Sequence, residues 1–297
     1  MTDTVLNTTP LPELKPSREN TPLSRALIVV AYIVLIAVAL VMFVPFLFSV
    51  ATSFKTPPDA TALTFDTMFW PPNPTVDAYR TAFESNIARW FLNSTMVAVA
   101  WILCRVTFAT LAGYAFARMD FPGRDFIFTL LVSTMMVPGI VLIIPRFMLL
   151  QDMKLYNTYG ALIVPFMVDV FGIFLMKQFF ESIPIDLEEA ARIDGASRYQ
   201  IFRTIVLPIT TPALSALAIF SFQGSWNNFL EPLMYVTGGN TNLYTLPVGL
   251  ANFRSLYLTN WPVLMAIAVI TTVPMAIFFL VFQRYFIESN ISAGIKG

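Results

Sequence analysis

The chain of 297 residues contains no histidine, a single cysteine and few charged residues. Histidine is the usual proton carrier at neutral pH, and its absence leaves an enzyme of this sequence dependent on carboxylates or hydroxyls. With Cys104 alone, no disulfide can form within the chain, and no metal site built from histidine and cysteine is expected. Basic and acidic residues number 18 each, so the net charge does not favour a nucleic-acid partner.

Apolar residues fill the space that charge leaves, and they occur in long runs. They make up 57% of the chain against 12% charged residues, where globular domains have about 45–50% and about 25%. Residues 26–54, 204–230 and 255–283 carry no charge. A helix needs about 20 apolar residues to cross the hydrocarbon core. The sequence therefore predicts an all-α, polytopic membrane protein rather than a soluble or disordered chain.

Six transmembrane helices are predicted within a permease domain of residues 26–284. They cover about 26–50, 91–117, 126–145, 160–176, 208–230 and 261–284. The first run is far longer than the about 7–15 apolar residues of a signal peptide, so we expect an uncleaved span. The connecting segments are a flexible tail (1–25), external loops (55–90 and 231–260), a cytoplasmic loop (177–207) and a C-terminal tail (285–297). Residues 237–242 are rich in turn formers, which leaves a re-entrant path open for the second external loop.

Lysine and arginine are distributed unevenly between the two sides of this topology. With the N-terminus inside, the inner segments hold 11 of the 18 basic residues and the outer loops hold 6. Cytoplasmic segments carry the excess of positive charge in membrane proteins. Both termini are therefore predicted to be cytoplasmic.

The cytoplasmic segment 177–207 carries strong local signals. Leu187, Ala190 and Ala191 have the i, i+3, i+4 spacing of one helix face. The small side chains of the two alanines would let another protein approach this face closely. Gly195 is expected to end this helix in the left-handed region. Ser197, followed three residues later by Gln200, is a capping box that opens a second helix.

The second helix of this segment should place Ile201, Phe202, Ile205 and Val206 inward, and Pro208 should begin the fifth span. From these features alone, the segment could equally be a loop that caps the bundle.

The spacing of the segment adds a resemblance. Glu189-Ala190-Ala191, three residues, Gly195, nine residues, Ile205, one residue and Leu207-Pro208 resembles the EAA motif of ABC importer permeases. In that family, the loop is a coupling helix that docks on the ATP-hydrolysing subunit. The resemblance implies an ATPase-coupling role for nine residues: Glu188, Glu189, Ala190, Ala191, Asp194, Gly195, Ile205, Leu207 and Pro208.

The resemblance extends over residues 45–297 and is closest to the maltose-type G subunit of carbohydrate uptake. It rests on short stretches: Phe91, Asn93 and Ser94; Ala115-Phe116-Ala117-Arg118 with Phe121-Pro122-Gly123; Pro138 and Pro145; Asn157-Thr158; Trp226-Asn227-Asn228-Phe229-Leu230; Ala293-Gly294-Ile295-Lys296-Gly297. It implies a bacterial or archaeal inner membrane. The implied partners are a second permease, two ATPase subunits, an extracytoplasmic binding protein and a sugar.

Two ionisable residues fall inside predicted spans, where charge is costly and often functional. Arg105 lies in the second span, and it could pair with a carboxylate or with carbonyls of a partner subunit, or contact an acidic or phosphorylated sugar. Asp169 lies in the fourth span and could accept hydrogen bonds from sugar hydroxyls or pair with Arg105.

A polar cluster lies near the outer end of the fifth span. Gln223, Trp226, Asn227 and Asn228 combine amides with an indole, groups that can hydrogen-bond to and stack on a pyranose. The alternative for Trp226 is an ordinary anchor at the membrane interface. Together with Arg105 and Asp169, these residues are candidates for the substrate pathway.

The chain contains no Walker A pattern, so hydrolysis would need a partner that binds ATP and Mg²⁺, and no cofactor is expected in the chain itself. The leading prediction is a non-enzymatic permease subunit forming half of a sugar pathway. A permease for glycerol phosphate, amino acids or peptides is the alternative within the superfamily. A secondary transporter would show internal repeats, and an intramembrane enzyme would show paired carboxylates or metal ligands; neither feature is found.

Overall fold

The computed structural model describes residues 22–62, 64–236, 240–256 and 260–294. Sixteen α-helices and no strand lie within those ranges. The predicted all-α class is therefore confirmed.

The helices are numbered along the chain. Their bounds are α1 Pro22–Ser53, α2 Pro57–Thr61, α3 Phe65–Met68, α4 Asp77–Glu84, α5 Ile87–Arg118, α6 Arg124–Ser133, α7 Ile143–Asp152, α8 Tyr159–Ile163, α9 Val170–Ser182, α10 Asp186–Ile193, α11 Arg198–Ile201, α12 Leu207–Ile209, α13 Thr211–Trp226, α14 Leu230–Tyr235, α15 Leu246–Leu256 and α16 Trp261–Gly294. Short 3₁₀ turns cover Thr134–Met136, Gly139–Leu142, Val164–Phe166 and Thr241–Leu243. A π-helical turn covers Phe202–Val206.

Within the described residues, four segments are long and apolar enough to cross a bilayer. They are Arg25–Ser53, Ile87–Arg118, Tyr159–Ser182 and Trp261–Phe282, and two bent helix pairs raise the number to six if each pair counts as one span. The chain divides into two compact units, one ending at Leu47 within α1 and one beginning at Phe48.

The third predicted span, 126–145, corresponds to a bent pair of helices. Arg124–Met136 and Gly139–Asp152 are bent by 94° at the break between them. Val137 has an extended backbone (φ −84°, ψ 116°), as expected of the residue before a proline, and Pro138 has no amide hydrogen to continue the helix.

The fifth predicted span, 208–230, begins later than the sequence suggested. Its helix, α13, covers Thr211–Trp226 and is bent by 73° from the segment Arg198–Ile209. Thr210 lies at this bend, and Pro212 occupies the first turn of α13, where a missing amide hydrogen costs little. Pro208 therefore belongs to the segment before the bend.

Close helix packing centres on α5, which contacts both α9 and α13. The contact with α9 uses small residues: Ala109 and Gly113 are one turn apart on α5 and buried, and both meet α9. A Cβ added at Gly113 would lie 2.7 Å from Cβ of Met176, and one added at Gly172 would lie 3.2 Å from Cβ of Ala109. No hydrophobic force drives helices together in lipid, so their association depends on close van der Waals packing. Small residues make this close packing possible.

The predicted loops contain short helices of their own. Residues 55–90 hold α2, α3 and α4, and residues 231–260 hold α14 and α15. The predicted C-terminal tail from 285 continues α16 as far as Gly294. Residues 1–21 of the predicted N-terminal tail, the turn residues 237–239 and the end of the C-terminal tail (295–297) lie outside the described residues.

Candidate functional site

The local predictions for the candidate coupling segment (residues 177–207) agree with its geometry. Gly195 ends α10 with φ +84°. The amides of Gly195 and Ala196 donate to the carbonyls of Arg192 and Ala191 at 3.0 and 2.9 Å. This pair of bonds defines a Schellman motif. The chain thus reverses direction at a position where a side chain would strain the backbone.

The second half of the segment starts at the predicted capping box. The Ser197 amide donates to Oε1 of Gln200 at 2.7 Å, and the Gln200 amide donates to Oγ of Ser197 at 3.3 Å. Beyond α11 the chain forms the π-helical turn Phe202–Val206. All four residues expected inward belong to one apolar cluster: Ile201, Phe202, Ile205 and Val206.

The outer face of α10 differs from the predicted one. Leu187 and Ala190 are exposed, but Ala191 is buried in the same apolar cluster, so the three residues do not share one free face. Ile193 is 87% exposed and extends the outer face beyond the residues that the sequence singled out. Glu189 and Asp194 are also exposed.

Glu188 explains why the outer face of α10 differs from the predicted one, because its carboxylate points into the protein and the helix is rotated accordingly. It is fully buried, and its Oε1 lies 2.7 Å from Nε of Arg118 at the end of α5. Tyr114, one turn earlier on α5, donates its hydroxyl to Oε2 of Glu188 at 3.1 Å. Arg118 also donates through Nη2 to the carbonyl of Ile183, just before α10.

Arg118 and Tyr114 were not among the predicted site residues. Arg118 falls in the stretch Ala115-Phe116-Ala117-Arg118 that carried part of the resemblance, and this was the only signal in the sequence. The adjacent carboxylates of Glu188 and Glu189 point to opposite sides of α10: Glu188 inward and Glu189 outward.

Arg105 and Asp169 both lie at a break in the fourth span, between the 3₁₀ turn Val164–Phe166 and α9. Pro165 lies in that turn and prevents a continuous helix. Arg105 donates through Nε to the carbonyl of Phe166 at 2.8 Å. Asp169 caps α9, its Oδ2 accepting a hydrogen bond from the Gly172 amide at 3.1 Å. Both residues satisfy backbone groups that the break would leave unpaired in a bilayer.

One of the alternatives for Asp169, a pair with Arg105, is not found: no ion pair within 4.0 Å joins the two residues in the part of the chain that the structure describes. The Arg105 guanidinium instead lies 4.2 Å from the centre of the Trp101 ring. Trp101 stacks on Phe166 at 4.4 Å. The carbonyl partner that the sequence left open for Arg105 is the Phe166 carbonyl of this chain.

The cluster at the end of α13 divides into buried and exposed members. Trp226 is 2% exposed, and its Nε1 donates to the carbonyl of Thr271 on α16 at 2.9 Å. It is therefore neither a free surface for a sugar ring nor an interfacial anchor, because it fills the contact between two spans. Gln223 and Asn227 are exposed.

Asn228 takes part in a short polar network. Its Nδ2 donates to Oε2 of Glu231 at 3.0 Å, and Oε1 of Glu231 pairs with Nη1 of Arg146 at 2.8 Å. This network joins α14 to α7. Gln223 and Asn227 are thus the two members of the cluster whose side chains remain available, and Gly224 between them lies close to Arg105, whose Nη1 would be 3.8 Å from an added Cβ.

Residues 241–246 are held to the start of α5 by Trp90, Asn93 and Ser94. The sequence offered Asn93 and Ser94 only as fragments of the resemblance and did not single out Trp90. Trp90 donates to the carbonyl of Thr241 at 2.8 Å. Asn93 donates to the carbonyls of Asn242 and Tyr244 at 2.8 and 2.9 Å. The Leu246 amide donates to Oγ of Ser94 at 2.8 Å.

These contacts fix both the loop after residue 240 and the beginning of α15. The sequence predicted an external loop here, and the structure adds the anchors that hold it.

Comparison with known proteins places this architecture in a family. Residues 105–289 match the family described as binding-protein-dependent transport system inner membrane component. A bacterial ABC transporter involved in the import of the acidic polysaccharide alginate has the same fold: the TM-score is 0.78 at 24% identity, covering 90% of this chain and 98% of that chain.

Curated relatives agree with the family match. An arabinooligosaccharides transport system permease protein of Halalkalibacterium halodurans is 40% identical over 208 residues, which is 70% of this chain and 74% of the relative. A diacetylchitobiose uptake system permease protein of Streptomyces coelicolor is 32% identical over 285 residues, or 94% of this chain and 92% of the relative. The chain therefore belongs to the family of inner-membrane permease components of binding-protein-dependent transport systems, the ABC importer permeases that the spacing of residues 189–208 resembles.

Proposed function

We propose that this chain forms half of the translocation pathway of an ATP-driven sugar importer. A second, related permease supplies the other half, two cytoplasmic subunits bind ATP and Mg²⁺, and an extracytoplasmic protein delivers the sugar. The complex lies in the inner membrane of a bacterium or archaeon, with both termini of this chain cytoplasmic. The single observation that carries the proposal is the folded form of the candidate coupling segment.

The outer face of α10 supports docking on an ATPase subunit. It presents Leu187, Ala190 and Ile193 as an apolar surface flanked by the exposed carboxylates of Glu189 and Asp194. Exposed apolar side chains rimmed by charge are typical of protein interfaces. Gly195, Ile205, Leu207 and Pro208 act within the segment, where they set the turn and the packing that hold α10 in place.

Coupling then works by alternating access. Closure of the two ATPase subunits moves α10, and the helices packed on the segment move with it, so that the pathway opens on the other side of the membrane. The two states differ in their contacts with the ATPase and with the binding protein, which is what allows both partners to bias the equilibrium.

A sugar is favoured as the substrate because the curated relatives named above are permeases for oligosaccharides. Within this chain, Gln223 and Asn227 are the best candidates to line the pathway. Their amides both donate and accept hydrogen bonds, as sugar hydroxyls require. Arabinooligosaccharides and diacetylchitobiose are the first substrates to test.

The coupling role is tested with a charge reversal, Glu189→Lys, in the complete transporter reconstituted in proteoliposomes. We expect uptake and ATPase stimulation to fall together, because the lysine would place a positive charge at the proposed ATPase contact in place of a negative one. Glu84→Lys is the matched control, since Glu84 is an equally exposed carboxylate at the end of α4 in the first external loop. Normal uptake and ATPase stimulation by Glu189→Lys would refute coupling through this face.

Substrate contact is tested separately by Gln223→Leu and Asn227→Leu at equal membrane levels. A raised KM for sugar uptake with unchanged basal ATPase activity is expected. Uptake of glycerol phosphate, amino acids or peptides in place of sugars would assign the transporter to another substrate class of the superfamily.

A further inference from the structure

The carboxylate of Glu188 lies where a contact with another protein is impossible. The side chain is 1% exposed, although its neighbours Leu187 and Glu189 on α10 are exposed. A buried carboxylate is costly unless its oxygens are paired. Both oxygens of Glu188 have partners on α5, Arg118 for Oε1 and Tyr114 for Oε2.

Arg118 holds the entry to α10 at two points. Its Nε faces Glu188 in the first turn of α10, and its Nη2 donates to the carbonyl of Ile183, before the helix begins. The hydrogen bond from Nη2 positions the guanidinium at the entry to α10, and the 2.7 Å charge contact of Nε with Oε1, which lacks hydrogen-bond geometry, holds the Glu188 side of the helix toward α5. The Arg118 side chain is itself only 10% exposed.

The helix that receives this contact is the central one of the bundle. α5 packs against α9 through the backbone approach at Gly113, and it also packs against α13. A displacement of α10 is therefore passed first to the cytoplasmic end of α5. The apolar contacts of Ala191 and Ile201 support the same position but lack the directionality of the ion pair.

We propose that Glu188, Arg118 and Tyr114 form an internal clamp that ties the coupling helix α10 to the span α5. Glu188 is then a positioning residue that converts movement of α10 into movement of α5, and it makes no contact with the ATPase. This inference rests on the proposed function, and it separates two adjacent glutamates of one motif: Glu189 docks outside, and Glu188 transmits inside.

The clamp is tested by a double-mutant cycle with Glu188→Ala, Arg118→Ala and the double variant. The full transporter is reconstituted, and the readout is sugar taken up per ATP hydrolysed. Each single variant is expected to lower this ratio about two- to thirtyfold, the range for residues that modulate coupling between sites. The double variant should lose no more than the worse single variant, because removal of either partner already disables the clamp.

A merely structural role, or a contact with the ATPase, predicts different readouts. The ATPase subunits should co-purify with Glu188→Ala as they do with the unaltered chain, since the outer face of α10 is unchanged. Tyr114→Phe removes one hydrogen bond but leaves Glu188 paired with Arg118, and should lower the uptake ratio in a protein that still folds. Arg118→Lys keeps the charge but not the two contacts, and is expected to restore only part of the ratio lost in Arg118→Ala.

The inference is overturned if the losses of the two single variants add, if uptake per ATP is unchanged in both Glu188→Ala and Tyr114→Phe, or if Glu188→Ala releases the ATPase. Failure of the proposed function would look different, since the unaltered chain would then retain no ATPase and Glu189→Lys would have no effect.

Discussion

Gly113 offers a direct test of the packing that holds the bundle together. In Gly113→Ala the added Cβ would lie 2.7 Å from Cβ of Met176 and 3.0 Å from the amide nitrogen of Lys177. Carbon atoms in ordinary contact lie about 3.5–4.0 Å apart, so α5 and α9 would have to separate by about 1 Å. Neither contacting atom belongs to the flexible end of a side chain, and no rotamer change can relieve the overlap.

The cost follows from two opposing effects. Overpacking of a well-packed contact costs about 1–3 kcal/mol. Alanine is the better helix former by about 1 kcal/mol, which offsets part of that cost. We therefore expect Gly113→Ala to lose up to about 2 kcal/mol of stability net, with a larger loss in Gly113→Val.

The measurement is the thermal unfolding midpoint of the purified protein in detergent. Gly224→Ala is the matched control, because Gly224 is also inside a spanning helix, but an added Cβ there would meet its nearest atoms at 3.8 Å, an ordinary contact distance. We expect a lower midpoint for Gly113→Ala and an unchanged or higher one for Gly224→Ala. Equal midpoints for the two variants would refute close backbone approach as the basis of the contact between α5 and α9.

Two further predictions concern contacts of buried tryptophans. In Gly249→Ala the added Cβ would overlap a ring carbon of Trp90, so the unfolding midpoint should fall. The fall should be smaller when Gly249→Ala is made in a Trp90→Leu background and compared with Trp90→Leu alone; an equal fall in the two backgrounds would mean that another clash is responsible. Trp226→Phe removes the hydrogen bond to Thr271 and should cost about 1 kcal/mol of stability, while KM for the sugar stays unchanged; a raised KM with an unchanged midpoint would contradict its place between α13 and α16.

Features that depend on neighbouring residues could be predicted from the sequence. The turn at Gly195 and the capping box of Ser197 and Gln200 involve residues five or fewer positions apart, so their physical chemistry is visible in the sequence. The apolar runs of the spans are visible for the same reason. The inward residues of the second short helix, such as Ile201 and Val206, follow from helical periodicity once its start is known.

Contacts between distant parts of the chain could not be predicted. Trp226 has the composition of an interfacial residue, but its hydrogen-bond acceptor lies 45 residues further along the chain. The rotation of α10 is similar: periodicity gives two faces, and only the ion pair with Arg118 decides which of them is buried. Pro138 lies inside the third predicted span, but proline is also compatible with a mildly kinked membrane helix. Its presence therefore does not predict the size of the bend, 94°.

The break in the fourth span changes the meaning of any loss of transport in variants of Arg105 or Asp169. Each residue binds a backbone group at the break, the Phe166 carbonyl and the Gly172 amide. Arg105→Gln would therefore weaken the span itself, and reduced uptake would follow whether or not Arg105 meets a sugar. Asp169→Asn keeps a side-chain oxygen that can still accept the Gly172 amide, so it is the milder change at the break.

A variant that loses substrate affinity but keeps its unfolding midpoint would identify a contact with substrate, whereas a joint loss would report the break. Gln223 and Asn227 are exposed, and a change in KM there is the more direct measure of the pathway. Arg105 and Asp169 thus support the shape of the fourth span, and under the proposed function the neutral amides of Gln223 and Asn227 recognise the substrate.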